Sequence, residues 1–545
     1  MADRSLGNRA PLLWLVLPYA LGLAWGKIGS APSPALGLAI AVPAAVAALL
    51  LTGRHPRLWP WLIGLAVMLC GTASYQLHRN RLPDWERLPP REAQLQLRIL
   101  RAFASGFEER TSGLAEVTHA APHLQDLVGQ KIYYALRLGP GEEAPVRSAE
   151  LTAQGVLTLL PRNPADDTFD GYLADAGMNF KLTRGRVIET VAPATAYRAF
   201  CARMEARFVR LLSRDIGAKQ PELTNVLRAM MLGRKHDLSE EQDTLFMQSG
   251  TMHLFAISGL HIGVIAGGVQ ALLLLLRLPR IWRYWLSLLL LWLYVDITGG
   301  TPSAVRAFCM VALVQTSFMW RVPGNPLAAL AASAGIVLLL EPMQLFSASF
   351  QMSYGIVVAL LTLGLPLAGR WQARWPLFAS LPVGAWRWWQ HLVRDGWHGL
   401  LIALAIGVAS ILVSSLCGVQ FFNLFTPGAL IANVVLIPVA MIVILAGMGS
   451  LLCGLVGFGT GSVLCNHAAV LVLWLIDRAL RLLVEMPGIY HAAAYKAAWI
   501  GPFGLTLLLA SLLYGYHHGW SRRRGAWWPP CVIVALTLIF GVNFA

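Results

Sequence analysis

"HLFAISGLHIGVI", residues 253–265, lies in a run that stays apolar as far as position 276. A membrane-spanning helix needs about 20 apolar residues to cross a hydrocarbon core about 30 Å thick. The length of the run therefore predicts a span near residues 250–276. His253, Ser258 and His261 lie within it, where polar groups are costly unless they face other helices or water. The segment thus predicts a membrane protein with a polar interior at this place.

The composition of the whole chain agrees with that prediction. Of its 545 residues, 56% are hydrophobic and 13% are charged, and the mean hydropathy is +0.58. Soluble domains carry about twice that share of charged residues. About thirteen spans are predicted, near 11–29, 33–51, 59–77, 250–276, 284–298, 303–319, 326–340, 349–369, 398–418, 427–452, 461–484, 498–517 and 527–545. The predicted fold class is a mainly α polytopic membrane protein, with some of its helices broken.

A soluble domain interrupts the spans after the third one. Apolar residues alternate with polar ones in "QLQLRIL" and "KIYYALRL", between turns rich in Gly, Pro and charge, which is typical of strands. About five short strands in roughly 100 residues suit a small all-β barrel of the OB type. Its aromatic residues either stack on nucleic-acid bases or fill the barrel core, and the core is the favoured interpretation. The candidates are Phe103, Phe107, Tyr133 and Tyr134.

Four segments follow from these patterns. The N-terminal spans occupy 1–77, the OB-like β domain 78–190, a helical connector 191–249 and the main membrane domain 250–545. Within the connector, apolar residues at helical spacing are flanked by arginines, which predicts an amphipathic helix on the membrane surface or on the β domain.

The net charge of +15 is mostly a signal of membrane orientation. Residues 250–545 carry 15 basic and 5 acidic residues, whereas the β domain is nearly neutral with 14 and 15. Basic residues in short loops stay on the cytoplasmic side. This rule predicts a multi-pass protein of the cell inner membrane, with a cytoplasmic N-terminus and an extracytoplasmic β domain. It is satisfied by Arg4, Arg9, Arg54, Arg57, Arg277, Arg280, Arg283, Arg321, Arg370, Arg374, Arg387, Arg394 and Arg522 to Arg524.

The polar residues of the opening stretch have two interpretations. If 250–276 is one helix, Ser258 and His261 share a face with His253 nearby. They either hold helices together through hydrogen bonds or line a hydrated cavity. Gly259 likewise either admits a neighbouring helix or breaks this one.

A second candidate pair lies in "YVDITGGTPSAVRA", where Asp296 ends one span and Arg306 begins the next. An ion pair between them that fixes the turn is one interpretation. The other is a role in binding substrate, because a guanidinium that faces an aqueous path binds phosphate through two hydrogen bonds.

Two further stretches mix polar residues into apolar spans. "EPMQLFSASFQMSYG" contains Gln351, and "QFFNLFTPGALIANVVLIP" contains Asn433. Both are consistent with broken helices that line a cavity.

Several classes of activity lack their motifs. The sequence contains no Walker A loop and neither HExxH nor HxHxDH, so no nucleotide hydrolysis of that type, metal site or cofactor is expected. Two alternatives to a channel stay open. One is an intramembrane serine hydrolase with Ser258 as nucleophile and a histidine as base, and the other is a small-solute transporter.

The chain resembles the ComEC family, the DNA-uptake channel proteins of natural competence. The resemblance rests on "LRAMMLGRKHDLSEEQDTLFMQSGTMHLFAISGLHIGVIAGG" at 227–268, with "GGTPSAVRA", "SASFQMSYG" and "IANVVLIP" following in the family's order. "FDGYLADAGMNF" at 169–180 resembles the end of the family's OB-like domain.

The resemblance implies a channel, not an enzyme, that carries one strand of incoming DNA across the membrane. His253, Ser258, Gly259, His261, Arg306, Gln351 and Asn433 are the candidate residues of the DNA path. It also implies single-stranded DNA and membrane lipid as partners, together with a periplasmic DNA receptor and a cytoplasmic motor ATPase. Longer family members end in a metallo-β-lactamase-like domain. Because this sequence lacks HxHxDH, a separate nuclease is expected to degrade the other strand.

Overall fold

The computed structural model contains a membrane-type helical domain and a separate β barrel. It describes residues 10–29, 32–53, 55, 58–79, 85, 89–103, 110–139, 144–161, 164–165, 167–255, 257–321, 324–378, 386–520 and 527–544. Phe107 and several of the predicted topology residues lie outside the described residues. The latter are Arg4, Arg9, Arg54, Arg57 and Arg522 to Arg524.

Three helices precede the barrel and three short ones follow it. Helices α1 to α3 span Leu13–Ile28, Pro34–Leu51 and Trp59–His78, and α4 spans Phe169–Asp175 between the last two barrel strands. The connector contains α5 at Ala196–Leu212, α6 at Pro221–Leu232 and α7 at Glu240–Gln248.

The rest of the chain is a succession of long helices. They are α8 at Gly259–Leu275, α9 at Arg280–Ile297, α10 at Pro302–Met319, α11 at Pro326–Leu340, α12 at Ala348–Ala359, α13 at Leu365–Arg374, α14 at Trp388–Phe422, α15 at Ala429–Val456, α16 at Gly459–Val484, α17 at Ile500–His517 and α18 at Trp528–Gly541. A π-helical turn, Leu360–Gly364, joins α12 to α13.

Five strands close into the barrel, in the order β1-β2-β3-β5-β4. They are β1 at Arg91–Phe103, β2 at Arg110–Ala120, β3 at Lys131–Arg137, β4 at Glu150–Leu159 and β5 at Phe180–Ala192. The predicted alternation is confirmed, since Leu95, Leu97 and Ile99 on β1 are all at most 1% exposed. Short strands β6, β7 and β8 at Leu424–Phe425, His491–Tyr495 and Val542–Phe544 form a separate small sheet.

Seven helical segments are long and apolar enough to cross a membrane. They are Pro34–Leu51, Trp59–His78, Pro302–Met319, Ala348–Arg374, Trp388–Phe422, Ala429–Val456 and Ile500–His517. Four shorter apolar helices accompany them among the described residues: α1, α8, α11 and α18. The prediction of a polytopic helical membrane protein with a small β domain is therefore confirmed, while the number of thirteen spans stays a prediction.

The barrel is docked against one end of the helical domain. Lys27, at the end of α1, pairs with Asp175 at 3.3 Å. Asn423, at the end of α14, donates to Asp167 at 2.9 Å. The arginine-rich beginnings of α9 and α14 lie at the opposite ends of those helices. The barrel and the arginine clusters thus lie at opposite ends of the helical domain, which is the arrangement that the charge pattern predicts.

The connector packs against membrane helices. Cys201, Phe208 and Leu212 form the buried face of α5, which contacts α9 and α15. Asn466 on α16 donates to the backbone carbonyl of Leu211 at 2.9 Å. The predicted amphipathic helix is present, but its apolar face rests on the helical domain and not, as predicted, on the membrane surface or the β domain.

Candidate functional site

The opening stretch is not one helix, and the predicted single span over 250–276 is wrong at its beginning. Met252–Phe255 is a short 3-10 turn, and α8 starts only at Gly259. Ser258 is the residue before the helix and has extended backbone geometry. His253, Ser258 and His261 therefore do not share a helical face, and His253 lies on an exposed turn before the helix.

Ser258 and His261 contact each other across the first turn of α8. The Nδ1 atom of His261 lies 3.0 Å from the Ser258 hydroxyl oxygen and accepts from the Ser258 backbone N–H at 3.3 Å. Because a backbone N–H can only donate, Nδ1 is the acceptor and the ring proton is assigned to Nε2. His261 is 0% exposed, and its Nε2 has no hydrogen-bond partner in the part of the chain that the structure describes.

The predicted ion pair between Asp296 and Arg306 is wrong. Asp296 Oδ1 instead accepts from Arg198 Nη1 at 2.8 Å, and Oδ2 accepts from the Tyr197 hydroxyl at 2.8 Å. Arg147 Nη1, from the segment before β4, lies 3.8 Å from Oδ1. The Asp296 carboxylate is therefore paired with Arg147 of the barrel and Arg198 of the connector, and not with Arg306.

Desolvation raises the pKa of Tyr197 above its ordinary value, and donation to Asp296 adds to the increase. The phenol therefore stays protonated and keeps donating across the physiological pH range. The carboxylate of Asp296, at the end of α9, thus binds both the segment before β4 and the connector helix α5.

Arg306 is a buried cation on α10, only 1% exposed. Its Nη1 donates to Gln344 Oε1 at 2.9 Å, and Nη2 donates to the Ser349 carbonyl at 2.7 Å. Gln344 in turn donates to Glu341 at 2.6 Å, which gives the guanidinium an indirect link to a carboxylate. The Nε atom of Arg306 has no partner among the described residues.

Gln351 and Asn433 are half-buried on α12 and α15. Gln351 Nε2 donates to the Leu345 carbonyl at 3.2 Å. The carbonyl oxygens of both amide side chains, Gln351 Oε1 and Asn433 Oδ1, lack a donor within the described ranges.

The four helices that carry these residues form a ring of five together with α14. Helix α8 packs against α10 and α15, α15 against α14, α14 against α12, and α12 against α10. Within the described part of the chain, any contacts between non-neighbouring members are weaker than those around the ring. We call this arrangement the five-helix ring.

Glycines permit close packing at three contacts of the ring. A Cβ atom would lie 2.3 Å from Met448 Cε if added to Gly268, and 2.7 Å from Leu430 Cδ1 if added to Gly407. At Gly355 it would lie 3.0 Å from a Val413 methyl group. Small residues at helix contacts are the usual means of close packing in membranes. Gly259, by contrast, is exposed and has open space around it.

Four of the five ring helices carry a buried polar atom without a partner among the described residues. The atoms are His261 Nε2, Arg306 Nε, Gln351 Oε1 and Asn433 Oδ1. Gln315 Oε1 on α10 is a further case that sequence reasoning missed, because a lone glutamine in a span carries no positional signal. A buried polar atom costs free energy unless water or a ligand reaches it.

The barrel carries an aromatic cluster on its surface. Phe103 and Tyr133 lie 6.3 Å apart, and Tyr133 lies 5.2 Å from Phe169, which stacks on Tyr172 at 6.0 Å. Phe169 and Tyr172 are 51% and 42% exposed. Tyr134, in contrast, is 0% exposed and belongs to the barrel core. Phe169 and Tyr172 lie on α4 rather than on a strand, so the strand pattern in the sequence did not predict them.

These features define a class of protein: a polytopic helical membrane protein with a ring of polar-bearing helices and a docked β barrel. The chain belongs to the competence protein family, whose model matches residues 230–518 and so includes every helix of the ring. ComE operon protein 3 of Bacillus subtilis (strain 168) is 35% identical over 143 residues, which cover 26% of this chain. The match spans only 18% of that relative's length. No solved structure matches the chain.

Proposed function

We propose that this protein carries a single strand of DNA across the cytoplasmic membrane, along a path enclosed by the five-helix ring. The partnerless atoms on α8, α10, α12 and α15 are the observation that carries the proposal. Polar groups inside membrane helices mark substrate paths and water-filled cavities. Membership of the competence family selects DNA as the substrate.

The chemistry of the ring suits a strand that must pass without regard to sequence. His261 offers an N–H donor, whereas Gln351 and Asn433 are amides that both donate and accept. Such groups replace some of the water around phosphates and bases without binding any one nucleotide tightly. The buried charge of Arg306 adds a positive potential that favours a polyanion.

The path begins on the side of the barrel. His253 and Gly259 are exposed at the beginning of α8. Ser303, near the beginning of α10, donates to the Ile257 carbonyl at 2.8 Å and so holds the entrance segment in place. The exposed aromatic cluster of Phe169 and Tyr172 offers a surface on which bases stack before they enter.

The proposal is for a transporter rather than an enzyme, and it assigns the remaining steps to other proteins. A receptor delivers DNA on the periplasmic side, a motor ATPase draws the strand in from the cytoplasm, and a separate nuclease removes the complementary strand. In this orientation the barrel is extracytoplasmic and the N-terminus is cytoplasmic, as the arginine pattern predicts.

Charge substitutions on the ring test the proposal. Gln351→Glu and Asn433→Asp keep the shape of the side chain but place a carboxylate where phosphates are expected to pass. At a separation of about 6 Å and an effective dielectric constant near 20, such a contact costs more than about 2 kcal/mol. We expect transformation frequency to fall by about tenfold or more.

Gln76→Glu is the matched control. Gln76 lies on α3, outside the ring, and its Oε1 is also buried without a partner among the described residues. All variants are compared at equal membrane abundance in a strain that lacks the native protein. Transformation that is unchanged in both ring variants, or equally reduced in Gln76→Glu, would contradict the proposed path. Normal transformation in the strain without the protein would refute the proposed function itself.

A serine hydrolase is the second candidate, since Ser258 and His261 are in contact. In a catalytic triad a third group orients the histidine, and no described residue bonds to His261 Nε2. The contact is also local and has the form of a helix cap, which contributes about 1 kcal/mol of stability.

Ser258→Ala and Ser258→Thr separate the two functions of that hydroxyl. A capping role predicts normal transformation for Ser258→Thr and a modest loss of thermal stability for Ser258→Ala. Covalent labelling of Ser258 by a fluorophosphonate probe, abolished in both variants, would instead establish a nucleophile.

A further inference from the structure

A crevice of about 620 Å³ lies between α8, α9 and α10, at the end of the helices away from the barrel. Its volume is in the range of small-molecule sites, about 300–1,000 Å³. It is formed by the last half of α8, the first turn of α9 and the last half of α10. The crevice includes Gln315, whose partnerless Oε1 is noted above, but none of His253, Ser258, Gly259, His261, Arg306, Gln351 and Asn433.

Glycines form the wall of the crevice on α8. Gly263 and Gly267 both line it, and a Cβ atom added to either would have nothing within 4 Å. The wall continues to Gln270, which is about 10 Å further along the helix axis than Gly263. Because Gly263 and Gly267 have no side chains, an elongated slot runs along this face of α8.

The facing wall on α10 is apolar except for Gln315. On α10 the lining includes Met310, Val311, Val314, Phe318 and Met319. A strand of phosphodiesters has no favourable contact with such a surface, whereas an acyl chain does.

Two arginines, Arg280 and Arg283, lie at one end of the slot. Arg280 and Arg283 line the crevice, and neither forms an ion pair with any described residue. The Nε atom of Arg283 is buried and has no partner among those residues. The two side chains are three residues apart in the first turn of α9, so they share a face beside the positive end of the helix dipole.

We propose that this crevice binds one anionic phospholipid, with its phosphate between Arg280 and Arg283 and an acyl chain along the glycine wall. Guanidinium groups bind phosphate through paired hydrogen bonds. Basic pockets between membrane helices on the cytoplasmic side are known to hold anionic headgroups. The charge pattern places these arginines on that side.

The test measures lipid retention, and so does not depend on DNA transport. The full-length protein, purified in detergent, is mixed with equal amounts of phosphatidylglycerol and phosphatidylcholine, and the bound lipid is counted by native mass spectrometry. We expect one retained phosphatidylglycerol. The double variant Arg280→Gln, Arg283→Gln is expected to lower the preference for phosphatidylglycerol by about tenfold.

Two further variants separate the site from its surroundings. Gly267→Leu fills the slot without a collision at its Cβ and is expected to lose the bound lipid while the protein stays folded. Arg277 lies in the connection between α8 and α9 and does not line the crevice, so Arg277→Gln removes a nearby charge and is expected to retain the lipid.

Three results would overturn the assignment. The first is equal retention of both lipids by the native protein, and the second is loss of lipid in Arg277→Gln as large as in the double variant. The third is displacement of phosphatidylglycerol by a single-stranded oligonucleotide, which would assign the crevice to the DNA path instead.

Discussion

At the scale of single residues, Asp296 shows how a pattern read along the chain leads to the wrong partner. The connection between Asp296 and Arg306 is short, so the sequence predicts an ion pair across it. The carboxylate instead meets Arg198, 98 positions away in sequence. Gly300 makes room for a second cation, because a Cβ there would lie 2.9 Å from Arg147 Nη1. Its φ of 60° also favours glycine.

Removal of the charge on Asp296 is expected to loosen the barrel from the helical domain. Asp296→Asn leaves Arg198 and Arg147 beside a neutral group in place of the buried carboxylate. Loss of one partner of a buried pair costs about 3–5 kcal/mol, and we expect the lower end because both arginines are partly exposed. The measurement is thermal unfolding of the purified protein, together with limited proteolysis between barrel and connector.

Asp395→Asn provides the comparison. Its ion pair with Arg394 is exposed on the surface, and such pairs contribute about 1 kcal/mol or less. Equal stability losses in the two variants would show that Asp296 does not join the two domains.

At the scale of elements, the sequence predicted what depends on local periodicity. Period-two alternation correctly predicted the barrel strands, and the long apolar runs correctly predicted most helices of the membrane domain. The start of α8 was missed because residues 253–258 are as apolar on average as a helix. The hydrogen bond from the Ser258 backbone N–H to His261 Nδ1 caps the helix and marks its beginning at Gly259. The ring could not be predicted, since which helices adjoin is decided by packing between segments distant in sequence.

Neighbouring glycines on α8 have opposite environments, which gives a matched pair of variants. Gly268 packs on Met448 of α15, whereas Gly267 faces open space. Gly268→Leu is expected to separate α8 from α15 and to lower the stability by about 1–3 kcal/mol through overpacking. Gly267→Leu is expected to be neutral or slightly stabilising, since leucine favours a helix by up to about 1 kcal/mol over glycine.

Unfolding of both proteins in detergent, without added lipid, measures the difference. Similar stability of the two variants would mean that α8 and α15 are not in close contact, and the ring would then be open at that point.

At the scale of the whole molecule, the fold places a barrel over one end of a helical domain and arginines at the other. Between these ends, four helices of the five-helix ring present polar atoms that the described protein does not satisfy. The anionic lipid proposed at Arg280 and Arg283 lies beside this ring. A strand entering near the exposed His253 would pass Gln351 and Asn433 before it reaches the opposite side.

Photo-crosslinking during uptake tests this central claim most directly. A photoreactive amino acid is placed at Gln351, at Asn433 or, as a control, at Gln76 on α3, and cells taking up labelled DNA are irradiated. The account predicts DNA adducts at positions 351 and 433, only while uptake proceeds, and none at 76. Adducts of equal yield at position 76, or none at either ring position in cells that still transform, would contradict a DNA path through the ring.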